Sequence, residues 1–322
     1  MKKNEYKCAV SILVTVYNHE KYLEQCLSSI INQETNFKYE VLIHDDCSTD
    51  GSRKIIEKYY KNYPEKVVPI YEKENQYSKG VKINKEILIP KMSGKYFCLC
   101  EGDDYWIDEK KLQKQYDFLE LNTEYKFCVH NSININDDGI KIGENIVVKK
   151  SEDLECKDFI INDGSFIATN SIFSYSYLAK KLPCYFNYLS LDYIWQIYLS
   201  SVGKTYCFEE CMSAYRVESV GSWNQRMKND NQKWILHKKK IIKALNMFNK
   251  DTNFKFNKYV KMKILLCNYN ILELNRDYKS MRDKKYSNIY KNESFTRKIR
   301  FFLDEHFPIF YNFLRRLRSK IK

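Results

Sequence analysis

Apolar and polar residues alternate in blocks along the first 130 positions, and the blocks have two different periods. Positions 9–16 form an almost unbroken apolar run, the pattern of a strand buried on both faces. From position 19 to 32 the period changes. Leu23, Cys26, Leu27, Ile30 and Ile31 recur at i, i+3, i+4, i+7 and i+8, which lays one apolar stripe along a helix. The alternation then continues. Strands are predicted over 39–43, 67–71, 96–100 and 127–130. Between them come a polar loop over 45–51, a helix over 52–63, a helix over 79–89 stopped by Pro90, and a helix capped by Asp108 that runs to Leu121.

This order predicts an α/β fold with a mostly parallel sheet flanked by helices, because parallel neighbours need crossover connections. In open sheets of this kind ligands bind beyond the carboxyl ends of the strands. Three polar clusters fall at such ends: Thr15-Val16-Tyr17-Asn18, His44-Asp45-Asp46-Cys47-Ser48 and Glu101-Gly102-Asp103-Asp104. After position 131 the pattern loosens. Asp138-Gly139 predicts a hairpin turn. Short strands are expected over 166–173 and 204–208, with a helix containing 192–199 between them. From about position 229 the chain turns helical and basic. The expected division is a first domain over 1–225, with halves 1–130 and 131–225, and a helical extension over 226–322. There is no internal repeat.

Composition narrows the field. Hydrophobic residues make up 44% of the 322, with only 9 Gly and 5 Pro, which excludes a disordered chain and a loop-dominated all-β protein. A net charge of +13 admits an anionic membrane surface, a phosphorylated substrate or nucleic acid; no nucleic-acid motif is present, so no nucleic-acid partner is expected. The eleven Cys show neither Cys-x-x-Cys pairing nor zinc-like spacing. They read as buried reduced thiols, which fits a cytoplasmic location. The first apolar run is too short for a leader and lacks a small-residue cleavage site, so it is assigned to a strand.

Adjacent carboxylates after an apolar strand repel one another unless something offsets the charge. A hard divalent cation does so while keeping positions open for phosphate oxygens. Taken alone, a pair such as Asp103-Asp104 is more often a solvated turn than a metal site. Asp45-Asp46 can accept hydrogen bonds from a base or ribose, or serve as a turn and helix cap beside Ser48, Thr49 and Asp50.

Three segments considered together are more specific. Val10-Ser11-Ile12-Leu13-Val14-Thr15-Val16-Tyr17-Asn18, Asp45-Asp46-Cys47-Ser48-Thr49-Asp50-Gly51-Ser52 and Glu101-Gly102-Asp103-Asp104-Tyr105-Trp106 occur in order and at suitable spacing. The chain resembles bacterial glycosyltransferase family 2 over roughly residues 8 to 223. The resemblance implies a GT-A fold and an inverting, metal-dependent transferase. Its donor would be a nucleotide sugar, UDP-linked by family weight. Its acceptor would be a glycan or a lipid-linked molecule in surface polysaccharide synthesis. By the same resemblance, Thr15 and Tyr17 frame the nucleotide base and Asp46 reads it. Asp103 lies toward the ribose, and Asp104 binds Mn²⁺ or Mg²⁺ at the diphosphate. Lys82 would hold the nucleotide, with Lys79 competing, although the segment from Ser78 to Asn84 departs from the family pattern. Asp192 would be the general base, against a second reading as a helix N-cap. Arg216 would meet phosphate or form a structural ion pair. Glu218 stands where members often carry His. The rival classes are a nucleotidyltransferase, which would want a Gly-rich phosphate loop that Tyr17-Asn18-His19-Glu20 does not supply, and a non-catalytic nucleotide- or membrane-binding module.

The last 32 residues hold nine Lys or Arg against three Asp or Glu. After Pro308, a stripe of Phe310, Phe313, Leu314, Leu317 and Ile321 runs along one helical face, and Arg315, Arg316, Arg318, Lys320 and Lys322 lie off it. Two readings stand: a basic amphipathic helix lying peripherally on the anionic inner face of the cell membrane, or an ordinary terminal helix packed on the protein.

Overall fold

The apolar run at the start of the chain forms strand β1 (Cys8–Val16), whose middle is fully buried. It lies parallel to β2 (Tyr39–Asp45) on one side and to β4 (Gly94–Glu101) on the other, and β2 pairs in parallel with β3 (Val67–Tyr71). Gly94 is required where β4 meets β1, since a Cβ there would stand 2.5 Å from the Ser11 backbone nitrogen. Helices α1 (Glu20–Ile31) and α2 (Ser52–Asn62) supply the crossovers, and α1 buries Leu23, Cys26, Leu27, Ile30 and Ile31 as its periodicity predicts. The structure, a computed structural model, describes residues 6–187, 192–217, 219, 227 and 230–309. The chain divides into two compact units, Met1–Arg226 and Met227–Lys322.

The first unit holds a ten-stranded sheet among its described residues. The remaining strands are β5 (Tyr105–Trp106), β6 (Tyr125–Ile135), β7 (Lys141–Asn145), β8 (Glu152–Leu154), β9 (Phe173–Tyr175) and β10 (Lys204–Arg216). The strand path runs β3-β2-β1-β4-β9-β6-β10-β5. The sheet is mostly parallel, as expected, but β5, β7 and β8 pair antiparallel at its β6–β10 side, and β9 comes back from later in the chain to separate β4 from β6, antiparallel to both. Helices α3 (Lys111–Leu121), α4 (Cys156–Ile161), α5 (Ser176–Ala179) and α6 (Asp192–Ser201) complete the unit.

Four local expectations change. Residues 79–89 do not form an α-helix. Gly80 at φ +85° ends a 3-10 turn over Tyr77–Lys79, a π-type turn covers Ile83–Leu88, and Pro90 lies within another 3-10 turn, Ile89–Lys91. Asp108 stands ahead of α3 rather than at its cap, accepting from the Lys110 N–H at 2.8 Å and from Lys114 Nζ at 2.7 Å. The expected strand over 166–173 is a 3-10 turn, Thr169–Ser171, followed by β9. The strand expected over 204–208 runs on to Arg216, because it pairs with β6 beyond a bulge near Cys211 that the polar Glu209-Glu210 step had hidden. The Asp138-Gly139 turn does join a hairpin, β6 to β7, with Gly139 at φ +80°. None of the eleven cysteines is in a disulfide, and seven are buried.

The second unit is helical: α7 (Asn231–Asp251), α8 (Asn257–Leu274), α9 (Tyr278–Met281), α10 (Ser287–Asn292) and α11 (Phe295–His306). Tyr269, Tyr278, Met281, Tyr286 and Phe301 form a core there. Asp230 and Ser294 cap α7 and α11 by accepting backbone N–H groups of Lys233 and Arg297. No helix among the described residues is long and apolar enough to cross a membrane. The expected helical stripe from Phe310 to Lys322 lies outside the described residues, as do the Trp223 end of the expected boundary and Glu218.

Candidate active site

Strand register gathers the three polar clusters. Thr15 is paired across β1 to His44 in β2 and to Glu101 in β4, and Val16 is paired to Asp45. The clusters therefore share one sheet rim although they lie up to 86 residues apart in the chain, from Thr15 to Glu101. Side chains tie the β1 and β2 loops together. Asn18, in the left-handed region at φ +55°, donates its N–H to Ser48 Oγ and accepts from the Thr49 N–H; Glu20 accepts from the Gly51 N–H.

The acidic loop after β4 lies against the β1 loop at Gly102. A Cβ there would meet His19 Nδ1 at 2.7 Å and the Thr15 carbonyl oxygen at 3.2 Å, so this close approach needs glycine. The two Asp that follow have opposite surroundings. Asp104 is 1% exposed. One of its carboxylate oxygens accepts the Arg216 N–H at 2.8 Å and the other accepts Asn170 Nδ2 at 3.0 Å. Asn170 is fixed in turn, donating also to the Ala214 carbonyl and accepting from Ser213 Oγ. Asp103 is half-buried. One of its oxygens accepts from Ser219 Oγ at 2.6 Å, and the other accepts no hydrogen bond from a described residue. The same loop is held from behind by Arg216. Its guanidinium donates to the carbonyls of Asp103, Asn136 and Asp137 and stacks 4.4 Å from the Tyr22 ring centre. Among the described residues Arg216 thus acts as a clamp on backbone carbonyls.

Asp192 begins α6, far along the chain from this loop, and the fold brings its charge to bear on Glu101 and Tyr215. Burial raises the Glu101 carboxyl well above the usual carboxylate range, and the negative charges of Asp192 and then Asp103 raise it further. Burial likewise raises Asp192, against a hydrogen bond with Thr169 that favours its ionised form. Asp104 is raised well above the usual range by burial first and by Asp103 and Glu101 next. Tyr215, on β10, is pushed up by burial and by Glu101, Asp104, Asp192 and Asp103 in that order. A phenol therefore stands among four carboxyl groups. Among the described residues no group of three His, Cys, Asp or Glu is already arranged to hold a metal ion. Asp103 keeps one carboxylate oxygen without a donor among the described residues, and Glu101 is near enough to feel its charge; one or two carboxylates are what Mg²⁺ commonly takes beside substrate phosphates.

At the β2 end of the rim, Asp46 is buried, and its two oxygens accept the N–H groups of Gln76 at 2.6 Å and Tyr77 at 3.0 Å. It pins the loop over 76–82 to the rim. Tyr17 is 44% exposed and Thr15 is half-buried at the same edge. Lys82 Nζ donates to the Gly80 carbonyl, and Lys79 pairs with Glu74. His44 is fully buried with Nε2 3.5 Å from Glu72, as a packed strand-end residue would be.

Tyr215, Asn170, Thr169 and Ser219 were given no role from the sequence. One signal for the middle pair was present. Thr169-Asn170-Ser171 interrupts an apolar run, and buried polar side chains require partners.

Known proteins share this pattern. A 229-residue stretch, 70% of the chain, is 31% identical to an uncharacterized protein of Mycobacterium tuberculosis and spans 63% of that relative's length. A shorter stretch, 35% of the chain, is 32% identical to the putative teichuronic acid biosynthesis glycosyltransferase TuaG of Bacillus subtilis, of which it covers 43%. In three dimensions the chain is similar to S. aureus TarS 1-349 in complex with UDP-GlcNAc (TM-score 0.56, 14% identity, 83% of this chain and 81% of that one). It is also similar to the mannosyltransferase PcManGT of Pyrobaculum calidifontis in complex with GDP-Man and Mn²⁺ (TM-score 0.55, 14% identity, 98% and 85%). These likenesses are of fold, and the fold is that of the GT-A glycosyltransferases. The pattern of the family described as Glycosyl transferase family 2 matches residues 11–179, more than half of the chain, and the chain belongs to that family.

Proposed function

We propose that the protein transfers a sugar, with inversion, from a nucleoside diphosphate donor to a hydroxyl of a glycan or lipid-linked acceptor. The observation that carries this reading is that Asp192, from α6, and Asp103, from the β4 loop, both bring their charge to bear on Glu101. A carboxylate facing a cluster that suits a cation and a diphosphate is what direct displacement needs: a base on one side of the anomeric carbon and a stabilised leaving group on the other.

In the proposed reaction Asp192 takes the proton of the acceptor hydroxyl. The acceptor oxygen forms its bond to the anomeric carbon as the bond from that carbon to the diphosphate oxygen breaks. The raised affinity of Asp192 for protons suits this task. Asp103 and Glu101 are the residues that would hold Mn²⁺ or Mg²⁺. The ion would supply charge neutralisation at the departing diphosphate. This moves the metal role from Asp104, whose two oxygens are already taken, to Asp103. Asp104 and Arg216 then act as positioning residues that keep the loop in place. Residues 1–130 would bind the donor, with Thr15 and Tyr17 at the base, Asp46 holding the loop that borders it, and Lys82 free to leave the Gly80 carbonyl for the nucleotide. Residues 131–225 would bind the acceptor.

UDP is the favoured nucleotide because a structural relative is described with UDP-GlcNAc. Surface polysaccharide synthesis is the favoured pathway because a sequence relative is named for teichuronic acid biosynthesis. Both are carried over by likeness. The test is transfer by the purified protein from a set of UDP-sugars, with Mn²⁺, with Mg²⁺ and with a chelator. Asp192→Asn is expected to lower transfer by about 10²–10⁴-fold while leaving UDP binding intact. Normal transfer by Asp192→Asn removes the base assignment.

A further inference from the structure

Helix α11 buries one face and leaves an apolar stripe on the other. Inward, Phe301 stacks on Tyr278 at 5.2 Å, and Asp304 accepts the Tyr278 hydroxyl and pairs with Arg276 at 3.3 Å. These contacts meet the helix's need for a core. Outward, Phe295, Ile299 and Phe302 recur at i, i+4 and i+7 on a single exposed stripe. Phe295 is 78% exposed and Phe302 53%. Phe307 and Ile309 continue the exposed apolar surface past the helix end, Ile309 at 87%. An ordinary solvated face would carry charged side chains at these positions.

The charges around the stripe all favour one kind of occupant. The acids here pair with arginines and cancel their charge: Glu305 with Arg282, Glu293 with Arg297, Glu273 with Arg297 and Arg300, and the buried Asp304 with Arg276. Lys291 is exposed, and Lys298 lies beside the stripe. From His306 to Lys322 the sequence adds five Lys or Arg and no Asp or Glu. Two copies of so basic a segment repel, which disfavours self-association through this face. An anionic bilayer offers both complements, hydrocarbon for the rings and negative headgroups for the cations. No described helix is able to span a bilayer, so the mode would be interfacial.

We propose that the outer stripe of α11, Phe295, Ile299 and Phe302 with Phe307 and Ile309 beyond it, is a docking surface for an anionic membrane. The experiment is co-sedimentation of the full chain with vesicles of phosphatidylglycerol and phosphatidylcholine in equal parts, and with phosphatidylcholine alone, at low and high salt. Binding is expected only to the anionic vesicles, falling steeply with salt. The triple variant Phe295→Ser, Ile299→Ser, Phe302→Ser is expected to bind roughly tenfold less, with unchanged melting temperature because these residues carry no core. Three results overturn the proposal: no binding by the wild type, equal binding by the triple variant, or a wild-type dimer in solution that the triple variant dissolves. Measuring UDP binding on the same samples keeps this test separate from the glycosyltransferase reading, since donor binding should be unaffected by the triple variant.

Discussion

Replacing Asp103 and Asp104 in turn should separate activity from stability. Asp104 accepts two hydrogen bonds in a buried setting. In Asp104→Asn one amide oxygen remains where two served two donors, and the new NH₂ group faces one of those donors. Asn170 does not flip to relieve this, because Ser213 Oγ holds its oxygen and the Ala214 carbonyl holds its nitrogen. At least one buried N–H loses its partner, at about 1–3 kcal/mol. Asp104→Ala loses both acceptors and opens a small void, which brings the cost to about 3–5 kcal/mol, reduced by the relief of repulsion with Asp103 and Glu101 to a net of about 3 kcal/mol. For a unit of this size that lowers the melting temperature by about 6–12 °C. Asp103→Asn keeps an oxygen for Ser219, so its stability should change by less than about 1 kcal/mol. Its transfer rate should fall by about 10²–10³-fold as the charge facing the diphosphate disappears. The assay pairs thermal unfolding without nucleotide with transfer at saturating Mn²⁺. An Asp104→Asn protein that melts with the wild type but loses metal-dependent transfer, alongside an active Asp103→Asn protein, would refute the reasoning and return the metal to Asp104.

Further outcomes follow from the same contacts. Gly102→Ala places a methyl 2.7 Å from His19 Nδ1, so the acidic loop must shift; UDP affinity by calorimetry should drop roughly tenfold for about 1–3 kcal/mol of lost stability, and an unchanged affinity would show that the loop position is not needed for the donor. His130 is fully buried, and burial, then the charge of Lys111, hold its folded pKa well below the ordinary value. Its folded form is therefore neutral, so its contribution is present above about pH 6.5 and is lost as pH falls, by about 1.4 kcal/mol per unit. Denaturant titrations from pH 7.5 to 5.5 should show a shallower acid loss in His130→Gln than in the wild type, and parallel curves would contradict the shift. Lys111 is buried with Nζ 2.8 Å from Gln115 Oε1 and 4.2 Å from the Trp106 ring centre. Because desolvating an ammonium offsets such contacts, Lys111→Met should change stability by less than about 2 kcal/mol; a larger loss would mean that the ammonium organises its surroundings.

The sequence by itself determined the alternation of strand and helix over the first 130 residues except at 79–89, the sheet rim where polar clusters meet, and the family. Periodicity is a local property, and a strand buried on both faces or a helix with one apolar stripe writes it directly into residue order. Thr15, Asp46 and Glu101 were placed on one rim by topology, without any knowledge of contacts. The tertiary structure decided the rest. Whether Asp103 or Asp104 faces the open side depends on Asn170, Ser213, Arg216 and Ser219, which lie 66 to 116 positions away in sequence. One step along a tight loop reverses the direction of a side chain, and local residue types carry no record of which direction the distant partners demand. The insertion of β9 between β4 and β6, the arrival of Tyr215 among the carboxylates, and the sorting of Phe301 inward from Phe295 and Phe302 outward share that cause. Each is settled by which distant surface an element packs against.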